Sequence, residues 1–150
     1  MAHWSHDAVF YHLYPLGSLG APARNDFAAP PAPRLAALEG WLDYWRDLGV
    51  DALYLGPVFE ATAHGYDTAD YFAVDRRLGT EATLARFSEA LHRRGMRLVL
   101  DAVFHHVGRD FWAFKDVLAR GPDSPWRDWF HLDFGGGSRS PHGDPFRYKG

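Results

Sequence analysis

Two glycines organise this chain. Gly49 and Gly95 each close a segment with helix-spaced apolar residues, and each is followed at once by a nearly continuous apolar run. Before Gly49 the stripe is Leu35, Leu38, Trp41, Leu42, Trp45 and Leu48, and Ala52 to Phe59 (ALYLGPVF) follows it. Before Gly95, Thr80 is placed to N-cap a helix with Glu81 in its first turn, Leu84, Phe87 and Leu91 mark the buried face, and a strand from Arg97 to about Phe104 follows. Upstream of both lies AVFYHLY, Ala8 to Tyr14, a β-branched and aromatic run stopped by Pro15 and Gly17. The order strand, helix, strand, helix, strand predicts parallel strands with right-handed helical crossovers, an α/β fold. In such sheets ligands gather at the C-terminal ends of the strands, here Tyr14 to Gly17, Phe59 to Asp70 and Phe104 to Gly108.

After the third strand the character changes. Asp110 to Arg120 reads as one more helix, with Trp112, Phe114, Val117 and Leu118 apolar and Gly121-Pro122 as its stop. From Asp123 onward, FGGGSRSPHGDP included, the chain reads as a long flexible loop. A composition of 47% hydrophobic and 16% aromatic residues supplies ample core for one domain. The net charge of -3, with no run of Lys or Arg, gives no electrostatic footprint for nucleic acid or an anionic membrane, so a small neutral ligand or a protein is the expected partner. The absence of cysteine excludes disulfides and thiolate metal sites. MAHWSHDAVF lacks a basic n-region and an apolar h-region, and no segment approaches the roughly 20 apolar residues of a membrane span, so the cytoplasm is the expected location.

Two groups of residues at strand ends carry potential chemistry. One is His64-Gly65-Tyr66-Asp67-Thr68-Ala69-Asp70-Tyr71. A Tyr beside His and Asp can stack on the apolar face of a sugar while its neighbours bond the hydroxyls. The plainer alternative is that the tyrosines fill the rim of the strand ends and the aspartates make local turn bonds. The other group is Asp101 with His105 and His106. These three have the composition of a facial-triad metal site, but alternation along a strand puts Asp101 and His105 on one face and His106 on the other. A strand ending near Phe104 would instead free both imidazoles. A buried Asp tied to backbone amides, with the histidines as packing, is an equal alternative. His3 and His6 lie in a terminus expected to fray.

Four blocks, VFYHLYPLG, LGVDALYLGPVFE, HGYDTADYFAVDRRLGT and RLVLDAVFHH, occur in the order and spacing of the alpha-amylase family, glycoside hydrolase family thirteen. The chain resembles the catalytic barrel of that family over essentially its whole length. DFWAFKDV and SPWRDWF resemble the cyclomaltodextrinase and neopullulanase-like branch. The resemblance implies the N-terminal part of a TIM (β/α)8 barrel: three β/α units over residues 1–106, then the start of an inserted domain B over 107–150. It implies retaining cleavage or transfer of alpha-glucosidic bonds in a maltooligosaccharide, a cyclic glucan or a polymeric alpha-glucan. Tyr66 would stack on the glucose before the scissile bond, with His64 nearby. His106 would hydrogen-bond the same glucose, and Asp101 would organise the catalytic centre. Asp67 and Asp70 match positions that fix the loop.

Two positions depart from the pattern. The family usually has Asn where this chain has His105, and in many members that Asn helps hold a structural calcium. Imidazole is a poor ligand for a hard cation, so neither calcium nor any other cofactor is expected. Many alpha-glucosidases of the family carry Asp at the position of Ala63, and its absence favours longer or cyclic glucans over strict exo-action. With a first strand near Ala8, neither the N-terminal sandwich domain of the cyclomaltodextrinase branch nor a dimer built through it is expected, and the oligomeric state is left open. Retaining glycosidases need a nucleophile and an acid/base about 5 Å apart. In the family these come from later strands of a barrel of about 250 residues. Both are therefore expected beyond Gly150, and the 150 residues alone are expected to be inactive. The alternatives are a non-catalytic glucan-binding protein and a metal-dependent hydrolase using Asp101, His105 and His106.

Overall fold

The computed structural model describes residues 3–136 and 139–148. The chain divides into two compact units, Met1–Gly108 and Arg109–Gly150.

In the first unit, β1 (Phe10–Leu13), β2 (Ala52–Leu55) and β5 (Arg97–Leu100) form a parallel sheet in the order β1-β2-β5. Phe10, Ala52 and Arg97 stand in register, as do His12, Tyr54 and Val99. Alternation gives the sheet two different faces. Tyr11, Leu13, Leu53, Leu55, Leu98 and Leu100 point into a core shared with Leu35, Leu38, Leu42, Trp45, Phe87 and Leu91. The opposite face carries Phe10, His12, Tyr54 and Val99.

The crossovers are helical, as the glycine spacing predicts. From β1 the chain passes through a short α1 (Pro15–Ser18) and a 3-10 segment, Arg34–Trp41, into α2 (Leu42–Asp47). A single α-helix over Leu35 to Leu48 is expected from the stripe. Instead, the first half winds as a 3-10 helix and becomes α-helical just after Gly40, whose backbone freedom weakens an α-helix interior. Gly49 (φ +80°) and Gly95 (φ +77°) adopt the left-handed conformation that ends a helix. Thr80 caps α3 (Glu81–His92) in a capping box with Thr83.

Two strand boundaries differ from expectation. The run Ala52 to Phe59 is not one strand: β2 stops at Leu55, and Phe59–Ala61 forms β3, antiparallel to β4 (Thr68–Val74). Pro57 has no N–H to continue the ladder, so the chain leaves the sheet there. β5 correspondingly stops at Leu100 rather than near Phe104. The amide of Asp101 donates to the Leu55 carbonyl at 3.0 Å, and beyond Leu55 the neighbouring strand has no further rung to offer. The segment His64 to Tyr71 is therefore the turn and second arm of a two-stranded sheet.

In the second unit, α4 (Trp112–Arg120) ends at Gly121 (φ +58°) and Pro122, as the sequence predicts. The segment after Asp123 has more order than a flexible loop. Asp133 and Arg147 form an antiparallel bridge, and fully buried Phe146 packs with Phe134, Phe114 and Tyr148. Arg109 donates to both carboxylate oxygens of Asp144 (2.9 and 3.2 Å). Within FGGGSRSPHGDP, Gly137 and Ser138 lie outside the described residues. Among the described residues no helix is long and apolar enough to cross a membrane.

Candidate functional site

The C-terminal ends of β1, β2 and β5 converge on Asp101, the first residue past β5. It continues the face of Arg97 and Val99 and so stands beside Tyr54 of β2. The Asp101 carboxylate lies close enough to the hydroxyls of Tyr54 and Tyr66 to act on both phenols. Burial, followed by the negative charge and hydrogen bonding of Asp101, raises the pKa of both phenols above the ordinary tyrosine value. Tyr54 also packs against His12 across the β1-β2 pair, with ring centroids 4.8 Å apart.

Tyr66 reaches Asp101 from a tight turn. Gly65 sits at φ +88°, and a Cβ there would lie 2.8 Å from the side chain of Pro57. The amide of Gly65 donates to Asp67 Oδ1 (3.1 Å), and the amide of Tyr66 donates to His64 Nδ1 (3.2 Å). Tyr14, at the end of β1, donates its hydroxyl to the His64 carbonyl at 2.9 Å. His64 stays mostly exposed, and Tyr66 keeps 40% of its surface open to solvent. The turn thus offers an aromatic ring and an imidazole side by side, centroids 6.2 Å apart, above a carboxylate. Asp70 makes the local bond expected of a turn aspartate, accepting from the Phe72 amide at 2.8 Å.

His105 and His106 leave the end of β5 as neighbours, with Nε2 of His105 3.1 Å from Nδ1 of His106. The strand ends too early for alternation to separate them. Their backbone is held by Tyr71, whose hydroxyl donates to the carbonyls of Val103 and His106, the latter at 3.1 Å. Gly108 closes this segment against the Tyr66 turn: its amide donates to the Thr68 carbonyl at 2.8 Å, and a Cβ at Gly108 would fall 2.4 Å from the Asp67 carbonyl oxygen.

The structure does not support the metal reading. His105 and His106 direct facing nitrogens at each other, and among the described residues no three His, Asp or Glu side chains are grouped to hold a metal ion. Nitrogen donors at this place do not suit calcium either.

Sequence reasoning missed Tyr54, Tyr14, Asp75 and Arg77. Tyr54 had a legible signal, since an aromatic hydroxyl in a strand otherwise made of Ala and Leu needs a partner. Asp75 and Arg77 are 0% and 4% exposed and form a salt bridge of 2.6 Å beneath the turn. Their role depends on which carbonyls the fold brings to them.

The chain matches the family model described as the alpha amylase catalytic domain over residues 35–148. It is 41% identical over 143 residues to a cyclomaltodextrinase of Bacillus sp, covering 86% of this chain and 26% of the relative. To an intracellular maltogenic amylase of Bacillus subtilis strain 168 it is 46% identical over 112 residues, 74% of this chain and 18% of the relative. Among solved structures, the cyclic alpha-maltosyl-(1→6)-maltose hydrolase of Arthrobacter globiformis, in complex with that cyclic sugar, aligns with a TM-score of 0.76 at 37% identity, covering 96% of this chain and 35% of that one. The chain spans about a quarter of the length of the Bacillus sp cyclomaltodextrinase. Its three parallel strands and their helical crossovers are a part of the TIM barrel of these enzymes, and the chain belongs to the alpha-amylase family, with relatives among the cyclomaltodextrinases and neopullulanases.

Proposed function

We propose that this chain supplies the sugar-holding side of an alpha-glucan glycosidase, which cleaves or transfers alpha-glucosidic bonds with retention in maltooligosaccharides and in cyclic or polymeric alpha-glucans. The observation that carries the reading is Tyr66, half-exposed and set beside Asp101 at the C-terminal end of a parallel sheet. An aromatic ring there can cover the apolar face of a glucose and exclude water from it, while His64 and His106 bond its hydroxyls. Asp101, beside two phenols, places a negative charge below the ring, suited to orient groups around the positive charge that develops on a sugar in the transition state. The nucleophile and the acid/base are assigned to chain beyond Gly150. Residues 107–150 are assigned to the beginning of the inserted domain B, and the cytoplasm is the proposed location.

The test is turnover of beta-cyclodextrin and maltotriose by the full-length protein and its Tyr66→Ala variant. Loss of roughly a hundred-fold or more in kcat/KM is expected, since the ring both binds and positions the reacting sugar. Undiminished turnover by Tyr66→Ala would remove Tyr66 from the site. Saturable binding with no product would convert the reading to a glucan-binding protein.

A further inference from the structure

Arg77 is almost fully buried, and all five of its N–H donors face acceptors. Nε and Nη2 bond the two oxygens of Asp75 at 2.9 and 2.6 Å, which neutralises the charge. The remaining donors turn to main-chain carbonyls: Nη1 to Pro22 (3.0 Å) and Ala63 (2.6 Å), and Nη2 to Ala61 (3.4 Å). Asp75 in turn accepts from the Ala61 amide at 3.2 Å. The pair therefore joins the segment after β1 to the segment that leads into the Tyr66 turn.

Tyr14 acts on the next peptide. Its ring lies beside Gly17 and Gly56, where a Cβ would stand 2.8 and 3.4 Å from the ring carbons, and its hydroxyl bonds the His64 carbonyl. Two consecutive carbonyls, Ala63 and His64, are thus gripped from different directions immediately before Gly65 and Tyr66. We propose that Tyr14 and Arg77 are positioning residues that hold the His64–Tyr66 turn at the height of Asp101. The inference rests on the reading of Tyr66 as the residue that stacks on substrate. A planar five-donor fork is needed to reach Asp75, Pro22 and Ala63 together, which a lysine ammonium cannot do.

The test uses Tyr14→Phe and Arg77→Lys in the full-length protein, beside Tyr66→Ala. Amide exchange at Gly65 and Tyr66 is compared with that at Leu53 to Leu55 in the strand. Tyr14→Phe is expected to accelerate exchange in the turn about five-fold, the effect of losing one hydrogen bond, with the strand unchanged. Both variants are expected to lower kcat/KM on maltotriose roughly ten-fold. A purely structural role would lower the melting temperature and leave the ratio of turn to strand exchange and the kcat/KM of folded enzyme unchanged, and that result overturns the proposal. Should Arg77→Lys fail to fold, Tyr14→Phe decides by the same two readouts. If turn exchange accelerates in Tyr14→Phe while Tyr66→Ala retains full turnover, the tether stands and the role of Tyr66 fails.

Discussion

Asp75 and Arg77 face each other across two hydrogen bonds with both side chains almost wholly removed from solvent. Removing one partner strands the other charge in the interior, which costs about 3–5 kcal/mol in comparable pairs. Asp75→Ala is therefore expected to lower the urea midpoint of the protein by more than any exposed ion-pair deletion, such as Asp43→Ala at its contacts with Arg46 and Arg94. Equal midpoints for the two variants would contradict the burial of the pair.

Gly108 and Gly40 make a matched comparison. A methyl group at Gly108 meets a backbone carbonyl oxygen at 2.4 Å, so the segment carrying His105 and His106 must move away from the Tyr66 turn. Gly108→Ala is expected to destabilise by about 1–3 kcal/mol, the range of overpacking in a tight contact. Gly40 has nothing within 4 Å of a built Cβ and lies in a helical segment, so Gly40→Ala is expected to stabilise by about 0.5 kcal/mol. Thermal melts of the two variants in one buffer check the opposite signs.

Much of this architecture is legible in the sequence because it is written locally. The capping glycines, Thr80 and the stripe of α3 are decided within one turn of helix, and each stands where the pattern puts it, whereas the stripe before Gly49 becomes α-helical only over Leu42–Asp47. The end of β5 is not local. It depends on where β2 stops, and β2 stops because Pro57 cannot donate. The β3-β4 pair was missed for a similar reason, since Phe59–Ala61 looks like a continuation of β2 until the break at Gly56-Pro57 is seen. In the site, Tyr66 and Asp101 are legible as residues, whereas their proximity and the part played by Tyr54 arise only when the strand ends and the turn are brought together.

Acid should act on the second unit through Asp144. Hydrogen bonds from Arg109, then Ser140, hold its carboxyl well below the usual carboxylate range. A depressed folded-state pKa means that the stabilisation is fully present above the unfolded-state value of about 3.9 and is lost as the pH falls from there toward the folded value. Wild-type protein is expected to lose more stability than Asp144→Asn between pH 4.5 and the lowest pH at which it remains folded, where the stability difference between the two narrows. Parallel pH profiles for the two proteins would show that Asp144 does not titrate with folding.

Alkali should act on the phenols of Tyr54 and Tyr66. Burial is the largest cause of their raised pKa values, and the charge and hydrogen bonding of Asp101 add to it. A phenol raised in the folded state contributes stability that is complete below its unfolded value of about 10 and disappears as the pH climbs through the folded value. Asp101→Asn removes the charge and leaves the burial. It is expected to bring both titrations partway back toward 10, in a phenolate absorbance titration read as the difference between wild type and variant. Tyr66→Phe deletes one of the late-titrating phenols, which assigns the two steps. A variant curve superimposable on wild type above pH 10 would separate Asp101 from both tyrosines and dismantle the arrangement on which the sugar site is built.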